Sequence, residues 1–210
     1  MYTLRHKQTK ALLLPVIIIL GVMALFAGAQ TCLAHPHVFI ESELEIELGE
    51  EGVKGLWHRW TFDEYFSAWI VDEYDTNKDG QFSPEETQKL YEEAFKNLKH
   101  YGFWTTVLKG SRDVPVTRIE NFTVKMRDHQ ATYSFFIPLD IDFTPDSEDL
   151  FILVYDKDFY CQIFFPPAEI SFTGEINRWN TEHTTQKMPE LTYYFGFVTP
   201  VAVRVSLSPP

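Results

Sequence analysis

The hydrophobic period of this chain changes twice, and that change constrains its fold more than any other feature. From Val38 to Leu48 apolar side chains return every second residue, with Val38, Ile40, Leu44, Ile46 and Leu48 on one face and Glu41, Glu43, Glu45 and Glu47 on the other. Period two sends alternate side chains to opposite faces of a strand, one buried and one wet. Gly49-Glu50-Glu51-Gly52 supplies a turn, and Leu56, His58, Trp60 and Phe62 share a face of the next run, which predicts an antiparallel hairpin. At Asp63 the spacing becomes helical, with Tyr65, Phe66, Trp69, Ile70 and Tyr74 gathered on one side. A second helix begins at Ser83-Pro84-Glu85-Glu86, where serine caps, proline takes the first helical position and glutamate stands three residues after the cap. Its apolar stripe is Leu90, Tyr91, Phe95 and Leu98, and Gly102 follows its end.

β character then returns. Phe103 to Leu108, Thr117 to Met126, Ala131 to Leu139, Leu150 to Tyr155 and Tyr160 to Phe165 are rich in aromatic and β-branched residues, with turn clusters between them. Glu169 to Ile176 and Tyr193 to Leu207 read as further strands, and Asn180 to Pro189 as a polar loop. Strands around one pair of helices predict an α+β fold: mainly an antiparallel β-sandwich or barrel-like sheet, with the helical pair inserted at residues 63–100.

The N-terminus has the grammar of a secretory signal peptide: Arg5, Lys7 and Lys10, an apolar block from Ala11 to Ala29, then small residues to Ala34. Cleavage after Ala34 leaves residues 35–210, a length that suits a single core-bearing domain. Cleavage after Ala29 is the other point that fits, and an uncleaved membrane anchor is the alternative that the block's length allows. The segment to Ala34 removes three cations and no acid, so the net charge moves from −12 to −15. Such a chain repels nucleic acid phosphates and attracts divalent cations and basic partners. With Cys32 removed, Cys161 stands alone and rules out an internal disulfide framework; cleavage at Ala29 would leave a Cys32 to Cys161 bridge open.

The stretch between the helices is the sharpest chemical signal. It reads Asp75-Thr76-Asn77-Lys78-Asp79-Gly80-Gln81-Phe82-Ser83-Pro84-Glu85-Glu86. Calcium is a hard cation that takes six to eight oxygens, and an EF-hand loop offers them from positions 1, 3, 5, 7, 9 and 12. Those positions hold Asp75, Asn77 and Asp79 by side chain, Gln81 by its carbonyl, Ser83 directly or through water, and Glu86 by both carboxylate oxygens. Gly80 falls where the chain must bend, and Phe82 is the apolar residue that ties the loop to the body. An acidic solvated turn accounts for none of Gly80, Phe82 and Glu86 together. The loop is single and the chain is poor in methionine, so a calcium ion here is expected to be structural, not sensing.

Histidines offer a second chemistry. His35 and His37 could hold a transition ion, zinc or nickel, through imidazole and the new amino terminus, or they could be two solvated histidines at a frayed end. His58, between apolar neighbours, reads as a hydrogen-bonded core histidine. Trp57, Trp69 and Trp104 read as core. No Ser/His/Asp, Cys/His or paired acid/base spacing is present, and Cys161 in an apolar strand is expected to be inert, so the chain does not read as an enzyme.

His35-Pro36-His37-Val38-Phe39, Trp60-Thr61-Phe62-Asp63-Glu64-Tyr65-Phe66-Ser67, the 75–86 loop and Tyr155-Asp156-Lys157-Asp158-Phe159-Tyr160, in that order, resemble a bacterial periplasmic family of unknown function. Its members are labelled periplasmic components of an uncharacterised ABC-type transport system and are associated with nickel/cobalt-type permeases. The resemblance implies a periplasmic accessory protein for zinc or nickel/cobalt handling, with an inner-membrane metal permease as partner and His35 and His37 as ligands. A calcium-stabilised protein-interaction module with no transition-metal role is the alternative.

Overall fold

The hairpin expected at the start of the sheet is where the fold begins. The computed structural model describes residues 36–166 and 169–210. Strand β1 (Val38–Leu48) pairs antiparallel with β2 (Gly52–Phe62), setting Ile40 opposite Phe62 and Leu44 opposite His58, with a bulge between Glu47 and Leu48. Helices α1 (Glu64–Tyr74) and α2 (Pro84–Glu93) follow. The remaining strands are β3 (Thr105–Lys109), β4 (Arg112–Val114), β5 (Glu120–Arg127), β6 (Gln130–Asp142), β7 (Leu150–Val154), β8 (Cys161–Phe164), β9 (Ile170–Gly174), β10 (Asn180–Lys187) and β11 (Val201–Ser208).

These strands form two open sheets. One runs β5-β6-β2-β1-β8 with β9 also on β1, and the other runs β10-β11-β7-β3-β4. The first sheet is mixed, because β8 and β9 both pair with β1 in parallel. The second is antiparallel throughout. The chain is therefore mostly β with a helical pair, an α+β fold.

One apolar cluster joins both sheets and both helices: Leu44, Leu56, Trp60 and Phe135 from the first sheet, Ile152 and Val205 from the second, Ile70 from α1 and Leu90 from α2. Burying each such side chain contributes about 1.5–3 kcal/mol. Inside that cluster His58 is 1 % exposed and stacked on Phe135 at 5.1 Å. It is a core residue, as expected. The expected hydrogen bond is not there: neither ring nitrogen has a partner among the described residues, and the same holds for Ser42 Oγ and Trp60 Nε1 on the same face. An unpartnered buried polar group costs about 1–3 kcal/mol, which its many apolar neighbours offset.

The helical pair is fastened to the sheet by a buried hydroxyl. Ser67 Oγ accepts the Ala131 N–H at 2.8 Å, joining α1 to β6. The second helix is shorter than its stripe predicts. It ends at Glu93, Ala94 leaves helical geometry at φ −121°, and Phe95–Trp104 continues as 3-10 turns that put Gly102 and Phe103 at φ 60° and 52°. Two further readings of the C-terminal half need correction. Residues 180–187 are a strand, not a loop, and Tyr193 to Val198 is a bridged turn, so the last strand starts only at Val201. The tryptophans also divide: Trp104 stacks on Trp60 at 5.6 Å, Trp57 donates its indole N–H to Glu47 at 2.9 Å, and Trp69 is 50 % exposed.

Candidate functional site

Asp63 starts the site. Its Oδ1 accepts the Tyr65 and Phe66 N–H groups at 3.0 Å, capping α1, and the helix runs to Asp75, whose N–H donates to Val71. The chain then bends through Gly80 at φ 76°, a left-handed geometry that a Cβ resists even though open space surrounds it. Asp75 Oδ2 accepts the Gly80 N–H at 2.8 Å across the bend. Asn77 Oδ1 accepts from Asp79 N–H at 2.9 Å, and Asp79 Oδ1 from Gln81 N–H at 2.8 Å. The side chains of Asp75, Asn77 and Asp79 thus each meet a later backbone donor.

Glu86 closes the loop. With Ser83 it forms a reciprocal capping box at the start of α2, Glu86 Oε2 accepting Ser83 N–H at 2.9 Å and Ser83 Oγ accepting Glu86 N–H at 3.2 Å. Its Oε1 accepts both the N–H and the hydroxyl of Thr76 at 2.7 Å. These donors, the Ser83 backbone first and the Thr76 hydroxyl next, hold the carboxyl down at about 2. Asp75 and Glu86 are both buried, whereas Asn77, Asp79 and Gln81 are exposed. Phe82 packs against the core. Among the described residues no group of three or more His, Cys, Asp or Glu side chains is gathered as a metal centre.

A second constellation sits at the start of β1. His37 N–H donates to Tyr160 O at 2.9 Å, and the two rings lie 5.0 Å apart. Phe39 N–H donates to Asp63 Oδ2 at 2.8 Å. Asp156 accepts the Asp158 and Cys161 N–H groups at 3.0 Å, shaping the turn into β8. The Cys161 thiol is pushed up to about 12, by burial first and then by Asp156 and Asp63.

The family model described as Protein of unknown function (DUF1007) matches residues 20–191. The chain belongs to that family. An uncharacterised 15.5 kDa protein in the trpE 3' region of Spirochaeta aurantia is 26 % identical over 140 residues, covering 67 % of this chain and 99 % of that protein. An uncharacterised protein of Haemophilus influenzae is 25 % identical over 130 residues, covering 61 % of each chain.

In this DUF1007 chain the six residues read as calcium donors all lie in the one loop. His35 lies outside the described residues, as do the 1–34 segment, both cleavage points and Cys32. His37 is exposed beside Tyr160. Sequence reasoning missed Thr76 and the second role of Asp63. Thr76 carried a signal, a hydroxyl next to the first acidic position; the Asp63 to Phe39 contact spans 24 residues and carried none.

Proposed function

We propose that this is an exported protein whose 75–86 loop binds a structural calcium ion, and which serves zinc or nickel/cobalt handling as an accessory to an inner-membrane metal permease. The supporting observation is the loop itself: an oxygen-only donor set around a glycine bend, with Asp75 and Glu86 buried. Oxygen donors of this kind suit a hard divalent cation, and magnesium would replace calcium poorly at such a site. Asp75, Asn77, Asp79, Gln81, Ser83 and Glu86 would hold the ion, which supplies positive charge between two buried carboxylates. Glu86 already stands at the start of α2 while Thr76 stands just after α1, so an ion at Glu86 would lock the two helices at a fixed splay.

The transition-metal role rests on the resemblance and on His35 and His37. Titration with zinc, nickel and copper, with and without His35→Ala and His37→Ala, tests it. Sub-micromolar binding lost in both variants is the expected result. Binding that ignores both substitutions, or no binding, removes this role.

A second reading is a calcium-stabilised interaction module with no transition-metal role. It is favoured by the setting of His37, whose ring lies against Tyr160. It predicts indifference to all three metals and an unchanged response to calcium.

A further inference from the structure

The helical pair leaves a cleft of about 150 Å³ against the sheet, walled by Phe66 and Trp69 of α1, Leu90 of α2, and Ala94 and Leu98 beyond it, with Trp60 among its lining. None of the lining residues belongs to the 75–86 loop. Trp60 is fully buried, yet its indole N–H has no acceptor among the described residues. Trp69 is half exposed, and Tyr65, one turn earlier, is 91 % exposed.

We propose that this cleft docks a large apolar side chain carried on a basic segment of a partner protein. Size sets the first half of that description: a cavity of roughly 150 Å³ with aliphatic and aromatic walls admits a benzene ring. Charge sets the second half. Glu73 of α1 and Glu93 of α2 are exposed on the two helices that wall the cleft, and both lie close enough to Tyr74, a lining residue, to disfavour its ionisation beyond the effect of burial. Two exposed carboxylates therefore border an apolar cleft. Exposed aromatic faces beside them, Trp69 and Tyr65, are good seats for ammonium and guanidinium groups. Lys89 already places its Nζ 5.5 Å from the Tyr74 ring. A second copy of this chain is the wrong occupant, because its net charge of −12 repels its own kind.

The test uses the full chain as processed by its host and a fluorescein-labelled synthetic peptide with one phenylalanine among lysines. Control peptides replace the phenylalanine by serine or the lysines by glutamate, and binding is read by fluorescence anisotropy. The parent peptide is expected to bind, and both controls to bind at least about tenfold more weakly. Ala94→Phe, which fills the cleft from within, and Glu73→Lys with Glu93→Lys should each weaken the parent peptide by a similar factor. Should Ala94→Phe fail to melt cooperatively, Trp69→Ser at the exposed mouth takes its place, with the same expected loss. No binding by the parent peptide, equal binding of either control, or binding untouched in a folded cleft variant overturns the proposal. So does sedimentation of the chain as a dimer that Ala94→Phe dissociates, which would assign the cleft to a second copy.

Discussion

Asp63 and Phe39 are joined twice: the Phe39 N–H donates to Asp63 Oδ2 at 2.8 Å, and the Asp63 N–H donates to Phe39 O at 3.0 Å. The same aspartate caps α1 through its other oxygen. One side chain thus fixes where the sheet's first strand begins and where the helical pair leaves it. Two of the segments that carried the family resemblance, one around Phe39 and one around Asp63, meet at this bond.

Asp63→Ala should therefore cost more than an ordinary helix cap, about 2 kcal/mol or somewhat above, because a cap alone is worth roughly 0.5–2 kcal/mol and a strand hydrogen bond goes with it. Asp63→Asn keeps one acceptor and should cost less. Urea titration of both variants checks the order; equal costs would mean that the single acceptor of asparagine preserves neither bond.

His58 predicts a pH dependence. Burial lowers its pKa from 6.5 to about 3, so the folded state resists a proton that the unfolded chain accepts. The stability is complete above the unfolded value and drains as pH falls from about 6.5 toward 3, by about 2 kcal/mol between pH 7 and pH 5. His58→Leu should flatten that part of the profile and raise stability at pH 5, since no hydrogen bond is lost. Melting temperatures of both proteins across that window decide it, and parallel profiles would refute the assignment.

Cys161 is buried and its thiol is held up to about 12. It should not react with a thiol reagent at pH 8 in the folded protein and should react fully in denaturant, because only the thiolate is nucleophilic. Labelling followed by mass measurement reads the difference; rapid labelling of the folded chain would contradict the burial.

Ser67→Ala tests the fastening of α1 to the sheet. The variant leaves the buried Ala131 N–H without its acceptor, which costs about 1–3 kcal/mol. Hydrogen exchange at Ala131 should accelerate with the loss of stability, whereas unchanged protection there would place the bond elsewhere.

How far the sequence was legible depended on whether a residue's neighbours lay close by in the chain. The alternation of β1, the caps at Asp63 and Ser83, and the glycine bend at Gly80 are local, and each could be read from spacing. β10 could not: Asn180–Lys187 is an edge strand with almost every residue exposed, so no apolar period marks it. The parallel pairing of β8 and β9 with β1 has no local signature either, being set by the edge of β1 that β2 leaves open. His58 was recognisable as a core residue from its apolar neighbours, but its missing partners depend on contacts with β6 and β1 that spacing does not encode. Within the loop the donor types were legible and the Thr76 to Glu86 bonds were not, because they close across the bend.

The proposal that the 75–86 loop binds calcium is tested most directly by thermal unfolding of the wild type and of Glu86→Gln, each with calcium and with a chelator. A ligand that binds only the folded state raises the melting temperature by an amount that grows with the logarithm of its concentration once that exceeds the dissociation constant. The wild type should melt higher in calcium and the variant should not respond. A wild type indifferent to calcium, or a Glu86→Gln chain that gains as much from it, would contradict the account.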